Sequence, residues 1–276
     1  MKEMNGVQIR NELLEEYRKI IEEKKWKITL AIIQIGEDAA SCLYVRNKIK
    51  YAEKVGITTR VFSLDEQVRE EEVIHLIEQL NQDSEITGIL LQSPTPRSID
   101  FRRCSRAISS FKDVDGLTEE NLFALRDHRE KILPCTVAGI LKLLEYYQIP
   151  LEGKHVVVAG RSNLVGRPLV DALINRDATV SLCHSKTRNL RELLALADIV
   201  VSAVGKPDFI TKDMVKEGFI GIDVGVNVVD GMIVGDFSKD VSLKASYFTP
   251  VPGGVDPMTV AMVLYNLIQL KDSGSL

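Results

Sequence analysis

VVVAGRSNLVGRPLVDAL, residues 156–173, is the stretch on which the fold turns. An apolar, β-branched run ends at Gly160, and a helical pattern begins near Val165. Such a run suits a strand buried on both faces. A strand that passes within about five residues into a helix is the first half of a βαβ unit. The turn aims helix N–H groups and the positive end of the helix dipole above the strand, a seat for phosphate. Gly160 lets the chain turn and Gly166 allows close approach. The spacing differs from the common G-x-G-x-x-G, so its weight comes from its place between strand and helix. A glycine-bearing βα turn that holds no ligand has the same local pattern.

Working outward, strand-like and helix-like segments alternate in two series, as in α/β domains with largely parallel sheets. In the first, 29–36, 57–64 and 86–92 read as strands and roughly 38–55 and 68–82 as helices; the series stops at SPTPRS. In the second, 155–160, 179–183, 198–205 and 219–227 read as strands, with helices from about Val165 and over roughly 188–196. The expected architecture is an N-terminal α/β substrate domain and a C-terminal Rossmann-type NAD(P)-binding domain joined by bridging helices. Residues 1–118 with a C-terminal helix at about 258–276 form the first domain, 119–147 the bridge, with LEGKH as its last turn, and 148–257 the second. The final helix is expected to pack back against the first domain.

With 276 residues, 45% hydrophobic and 27% charged, the chain can bury the cores of two ordinary domains. A net charge of −4 gives no general attraction to nucleic acid or anionic membrane, so a small-molecule partner is expected. No apolar run reaches the roughly 20 residues of a membrane span, and the charged, helix-like N-terminus is unlike a signal peptide. A cytoplasmic location is expected. Cys42, Cys104, Cys135 and Cys183 form no CxxC pair, and the four histidines show no HExxH or HxH spacing, so neither disulfides nor a metal are implied.

The candidate nucleotide contacts of the first turn are Gly160, Arg161, Ser162, Val165 and Gly166. After the next strand, an NAD site usually carries an acid for the ribose hydroxyls. This chain has His184, Ser185, Lys186 and Thr187 there instead. An acid would repel a 2′-phosphate, whereas Ser185, Lys186 and Arg161 supply donors and positive charge. NADP is favoured over NAD. SAVGKP, with Ala203, Val204 and Gly205, and DVGVN, with Asp223, Gly225 and Val226, follow later strands on the same edge and are expected to complete the cleft.

Tyr44 and Lys48 lie four apart on one face of a predicted helix. A helical lysine is ordinarily a solvated charge. Gln92, ending the ILLQ run, changes that reading, because an amide there can orient an amine. A lysine partly desolvated by an aromatic and an amide becomes usable as a proton shuttle near neutral pH. Asp113 and Asp115 in DVDG fit a turn or helix cap, or bidentate recognition of a heterocycle with adjacent N–H groups; the spacing leaves both open.

Taken in order, YVRNKIKYAEKVGI (44–57), GILLQSPTP (88–96), KDVDG (112–116), PCTVAGI (134–140), GRSNLVGRP (160–168), HSKT (184–187), AVGKP (203–207), IDVGVN (222–227) and TPVPGGVDPMTVAM (249–262) resemble the bifunctional methylenetetrahydrofolate dehydrogenase/methenyltetrahydrofolate cyclohydrolase family. The set spans nearly the whole chain. The resemblance implies oxidation of 5,10-methylenetetrahydrofolate by hydride transfer to NADP, then hydrolysis of the methenyl product to 10-formyltetrahydrofolate. It implies Lys48 as central catalytic residue, Gln92 as its orienting neighbour, Tyr44 packing on the folate and Asp115 anchoring the pterin. Pro252, Gly253, Gly254 and Asp256 fall in a loop expected beside folate and nicotinamide, Arg161 and Ser185 at the 2′-phosphate, and the resemblance implies a homodimer formed through the nucleotide domains, as is common in the family.

Four positions depart from the family pattern. Ser93 and Thr95 stand where leucines are usual, Val137 replaces a proline and Asp256 a glycine. The first three bear on pocket polarity and turn stiffness. Asp256, were it to approach Lys48, would raise the lysine pKa and weaken it as a base, reducing or retuning the hydrolytic step, whereas an Asp256 turned to solvent would matter little; the sequence leaves both open. The competing readings are another two-domain dehydrogenase of a small hydroxy or amino acid, or a folate- or nucleotide-binding module without chemistry. The set Tyr44, Lys48, Gln92 and Asp115 separates them.

Overall fold

The structure is a computed structural model that describes residues 1–274, the side chains of 39 and 40 excepted. In chain order it contains β1 (Lys2–Glu3), α1 (Gly6–Lys24), β2 (Thr29–Ile35), α2 (Ala39–Lys54), β3 (Thr58–Leu64), α3 (Glu70–Gln82), β4 (Gly88–Leu91) and α4 (Phe101–Ala107). There follow α5 (Glu119–Arg126), α6 (Cys135–Tyr146), β5 (His155–Ala159), α7 (Gly166–Ile174), β6 (Thr179–Cys183), α8 (Leu190–Leu196) and β7 (Ile199–Ser202). The chain continues through β8 (Ile220–Asp223), β9 (Asn227–Val229), β10 (Met232–Val234), β11 (Tyr247–Phe248) and α9 (Val255–Asp272). Two compact units result: Asn11–Cys135 with Val260–Leu276, and Met1–Arg10 with Thr136–Thr259.

The first unit is built on a parallel sheet in the order β3-β2-β4. β2 lies between the other two and is buried along its length after Thr29, as its apolar run, interrupted only by Gln34, requires. α3 opens on three glutamates that complement its dipole and turns Val73, Ile77 and Leu80 onto Ile33, Ile89 and Leu91. Because the chain leaves β2 first to one side and then to the other, its topological switch point lies at the carboxyl ends of β2 and β4. Lys112 is buried and donates to the carbonyls of Leu80, at 3.0 Å, and Asp83, at 2.6 Å, closing the end of α3.

The second unit carries six parallel strands in the order β1-β11-β8-β7-β5-β6, with β5 between β6 and β7. Its switch point is at the ends of β5 and β7. A separate hairpin, β9 and β10, turns at Asp230 and Gly231, both with positive φ (50° and 76°), as a two-residue Asp-Gly turn demands.

The α/β class and parallel sheets match the expectation, but several boundaries move. LEGKH is not a helical turn: α6 stops at Tyr146, and Gln148 and Gly153 have positive φ (54° and 70°). The supposed bridge is two helices, α5 and α6, with Glu119–Arg126 in the first unit and nearly all of Cys135–Tyr146 in the second. Residues 1–10 join the nucleotide unit because β1 pairs with β11, Lys2 opposite Tyr247. The last helix starts at Val255, three residues before Met258, and from Val260 it groups with the first unit. Val137 is buried in α6, where a proline would have capped the same first turn.

Lys112→Met strands two carbonyl acceptors and removes a charged donor, which lowers stability by about 2–3 kcal/mol. Urea unfolding measures this; a loss below about 0.5 kcal/mol would show that the amine is dispensable.

Candidate active site

In the first unit, α2 is started by Asp38, whose carboxylate accepts the Ser41 N–H at 2.8 Å. That start places Tyr44 and Lys48 one turn apart on the same face, both partly buried. Gln92 follows β4 directly and is buried. Its Nε2 donates to the Ser93 carbonyl at 2.5 Å, which turns Oε1 toward the lysine. Lys48 Nζ donates to that oxygen at 2.7 Å. Ser93 thus acts through its backbone, and Thr95 Oγ1 donates to the Ile99 carbonyl at 3.3 Å.

The two aspartates of DVDG divide the two roles that their spacing left open. Asp113 is buried and accepts the N–H groups of Asp115 (3.2 Å), Gly116 (2.9 Å) and Thr118 (2.8 Å) and the Asn121 amide (2.9 Å). It holds the turn. The Asp115 carboxyl interacts instead with Lys48 and with the Cys135 thiol. The loop is locked from behind: Cys135 Sγ donates to Val114 O at 3.1 Å, and Asn266 Nδ2 donates to Val114 O and Leu133 O, each at 2.9 Å. Gly116, at φ 69°, lies so near Leu133 that a Cβ would come within 2.6 Å of its carbonyl carbon. Neither Cys135 nor Asn266 was singled out from sequence. Asn266 did leave a signal, a lone amide inside the apolar run MVLYNLIQL.

Burial lowers the Lys48 pKa, with the charges of Asp115 and then Cys135 pulling it back up. Burial raises the Asp115 pKa, opposed first by Lys48. The Cys135 thiol is pushed well above its ordinary range, by burial and then by Asp115. An amine and a carboxyl group that each resist ionisation alone, yet favour it in the other, form a coupled pair that can take up and release one proton.

In the second unit, Gly160 has φ 114°, and a Cβ there would stand 2.4 Å from Ala203 O. A Cβ on Gly166 would stand 2.0 Å from Gly160 O. Three backbone segments therefore touch at the ends of β5 and β7, which accounts for the unusual glycine spacing. Ser162 Oγ accepts the N–H groups of Val165 (3.1 Å) and Gly166 (3.4 Å), so two amides expected to face a ligand are capped within the turn. A cavity of about 250 Å³ opens beside it. Of the expected residues, Gly160, Arg161, His184, Ser185, Ala203 and Val204 line it, joined by Lys206 and Phe209. Ser185, Lys186 and Arg161 are exposed. Thr187 supports the turn, its Oγ1 accepting the His184 N–H at 2.8 Å.

Asp223 is buried away from this cavity. Its carboxylate accepts the N–H groups of Gly225 (3.0 Å), Asp236 (2.9 Å) and Phe237 (3.1 Å), and burial raises its pKa to about 6. Gly225 abuts Asp236, and Val226 is partly exposed at the head of the hairpin. Gly253 O accepts the Gly6 N–H at 2.9 Å, tying the loop Pro252, Gly253, Gly254 to the start of α1. Asp256 sits in the first turn of α9, where burial alone raises its pKa to about 6.

Two family models match the chain: the catalytic domain of tetrahydrofolate dehydrogenase/cyclohydrolase over residues 4–115, and its NAD(P)-binding domain over 134–274. The bifunctional protein FolD of Clostridium novyi is 45% identical over 262 residues, 95% of this chain and 94% of that protein. The crystal structure of the bifunctional FolD of Campylobacter jejuni superposes with a TM-score of 0.96 at 42% identity, covering 99% of both chains. The Trypanosoma brucei FolD complexed with NADP cofactor and inhibitor gives 0.92 at 32% identity, covering 98% of this chain and 97% of that one.

Gly160→Ala drives a Cβ into the Ala203 carbonyl from a backbone conformation that alanine resists. Thermal unfolding should show a loss of about 1–3 kcal/mol; an unchanged melting temperature would mean that the two turns do not touch.

Proposed function

The chain belongs to the tetrahydrofolate dehydrogenase/cyclohydrolase family, and we propose that Lys48 is the residue on which both of its activities turn. The enzyme interconverts one-carbon folates, oxidising 5,10-methylenetetrahydrofolate to the methenyl form and hydrolysing that to 10-formyltetrahydrofolate. The observation that carries the assignment is the 2.7 Å hydrogen bond from Lys48 to a Gln92 whose own amide is pinned, with the Asp115 charge acting on the amine.

NADP fits the second unit: a side chain at Gly160 would collide with the Ala203 turn beside the cavity, and no acid stands in residues 184–187 to repel a 2′-phosphate. Gly160, Ala203 and Val204 would face the dinucleotide, with Arg161, Ser185 and Lys186 at the phosphate. When bound, NADP supplies the hydride acceptor. Tyr44 packs against the folate and Asp115 takes its paired pterin N–H groups, which aligns the one-carbon unit. For hydrolysis, the Lys48 amine takes a proton from the attacking water and returns it to the departing ring nitrogen, and Gln92 holds the amine in place between the two steps.

A homodimer is the assembly this reading favours, supported by the apolar β9–β10 hairpin, where Val228 is 74% and Met232 59% exposed. The cytoplasm is the compartment it assigns, consistent with four free cysteines. Among the described residues no helix is long and apolar enough to cross a membrane. The net charge of −4 supports small-molecule rather than nucleic-acid partners.

The departure of Asp256 from the family's glycine is what supports a retuned hydrolytic step with hydride transfer retained; burial is the only influence that shifts its carboxyl. Separate assays of the two half-reactions should show faster methenyl hydrolysis in Asp256→Gly, and an unchanged rate would sink the idea.

The pH dependence of hydrolysis follows from the charges. Asp115 raises the Lys48 pKa, so Asp115→Asn lowers it further and moves the rising, base-dependent limb of the rate profile toward lower pH. Lys48→Met loses that limb and at least about a hundredfold in rate. A limb that stays in place in Asp115→Asn, or that survives in Lys48→Met, assigns the base elsewhere.

A further inference from the structure

We propose that Asp236, which follows the β9–β10 hairpin and lies outside the cavity, is the positioning residue of the nucleotide site. Its side chain is wholly buried, and five donors converge on it. One oxygen, Oδ2, accepts Ser202 Oγ (2.8 Å), Val204 N–H (2.8 Å) and Gly205 N–H (3.2 Å). The other, Oδ1, accepts Lys206 N–H (2.9 Å) and the Asn227 amide (3.1 Å). The turn that faces Gly160 and lines the cavity with Ala203, Val204 and Lys206 is thereby wrapped around one carboxylate.

The anchor is itself fixed. Asp236 N–H donates to Asp223, and the space beside each carboxylate is kept clear by a glycine of the other strand end. A Cβ on Gly225 would meet Asp236 Oδ1 at 2.1 Å, and one on Gly235 would meet Asp223 Oδ2 at 1.9 Å. A buried carboxylate is tolerated only with such a set of donors, and the Asn227 amide that caps it is shared with the carbonyls of Val234 and Gly235. Asp236 is not among the residues that line the cavity. It acts by holding three consecutive N–H groups and hence the wall of the cleft.

The inference rests on the reading that this cavity seats NADP. Its test is Asp236→Asn in the full-length protein, with NADP titrated calorimetrically and both KM values measured. Whichever way the amide is turned, its NH2 group faces at least two donors, so the turn must shift. NADP affinity is expected to fall about tenfold, with the KM for NADP rising in step and that for methylenetetrahydrofolate staying within about twofold. Unchanged NADP affinity, or an equal rise in both KM values, overturns the proposal. Should Asp236→Asn fail to fold, Asn227→Ala removes one donor from the rim and should weaken NADP about two- to threefold; no change there overturns it equally. A parent protein that does not bind NADP refutes the cavity assignment itself, an outcome distinct from a parent that binds and a variant that binds as well.

Discussion

The nucleotide half of this enzyme depends on the absence of one side chain. Two parallel strands, β5 and β7, end side by side with their following turns bent to opposite faces, and the only way to bring those turns into contact is to leave Gly160 bare against Ala203 O. The start of α7 is drawn in by the same contact, through Gly166 against Gly160 O. Strand order, glycine spacing and the mouth of the cavity are three views of that packing.

The substrate half solves a different problem, keeping an amine in a desolvated place without letting it become inert. Burial lowers the Lys48 pKa, and the Asp115 charge raises it. The two influences oppose one another, burial being the larger. What makes the balance usable is rigidity in the neighbours. Gln92 is pinned by the chain immediately after it, and the loop carrying Asp115 is held by Asp113 in front and by Cys135 and Asn266 behind.

Buried carboxylates recur as loop organisers. Asp113, Asp223 and Asp236 each gather N–H groups from irregular backbone that no strand or helix could satisfy. The cost of burying each charge is met by donors that would otherwise be orphaned, and the outcome is a well-defined turn beside each ligand-facing surface. For Asp256 burial is the sole influence, and its raised pKa follows.

The sequence by itself determined the α/β class, the longer parallel strands to within a few residues and the two switch-point turns, and it named Tyr44, Lys48, Gln92 and Asp115 as candidates, because these rest on local periodicity and on motifs read in order; the two-residue strands β1 and β11 escaped it. It left the short Asp-Gly hairpin unassigned, although NVVDGMIV carries its signal, because strands of three residues barely register as a period. Only the tertiary structure could separate Asp113 from Asp115, move Asp223 from the cleft into the core, or bring out Asp236, Cys135 and Asn266. Residues of one chemical type look alike along a chain. Which of them caps a turn and which faces a substrate depends on donors contributed from as far as 152 positions away, as Asn266 is from Val114, and that information exists only once the chain has folded.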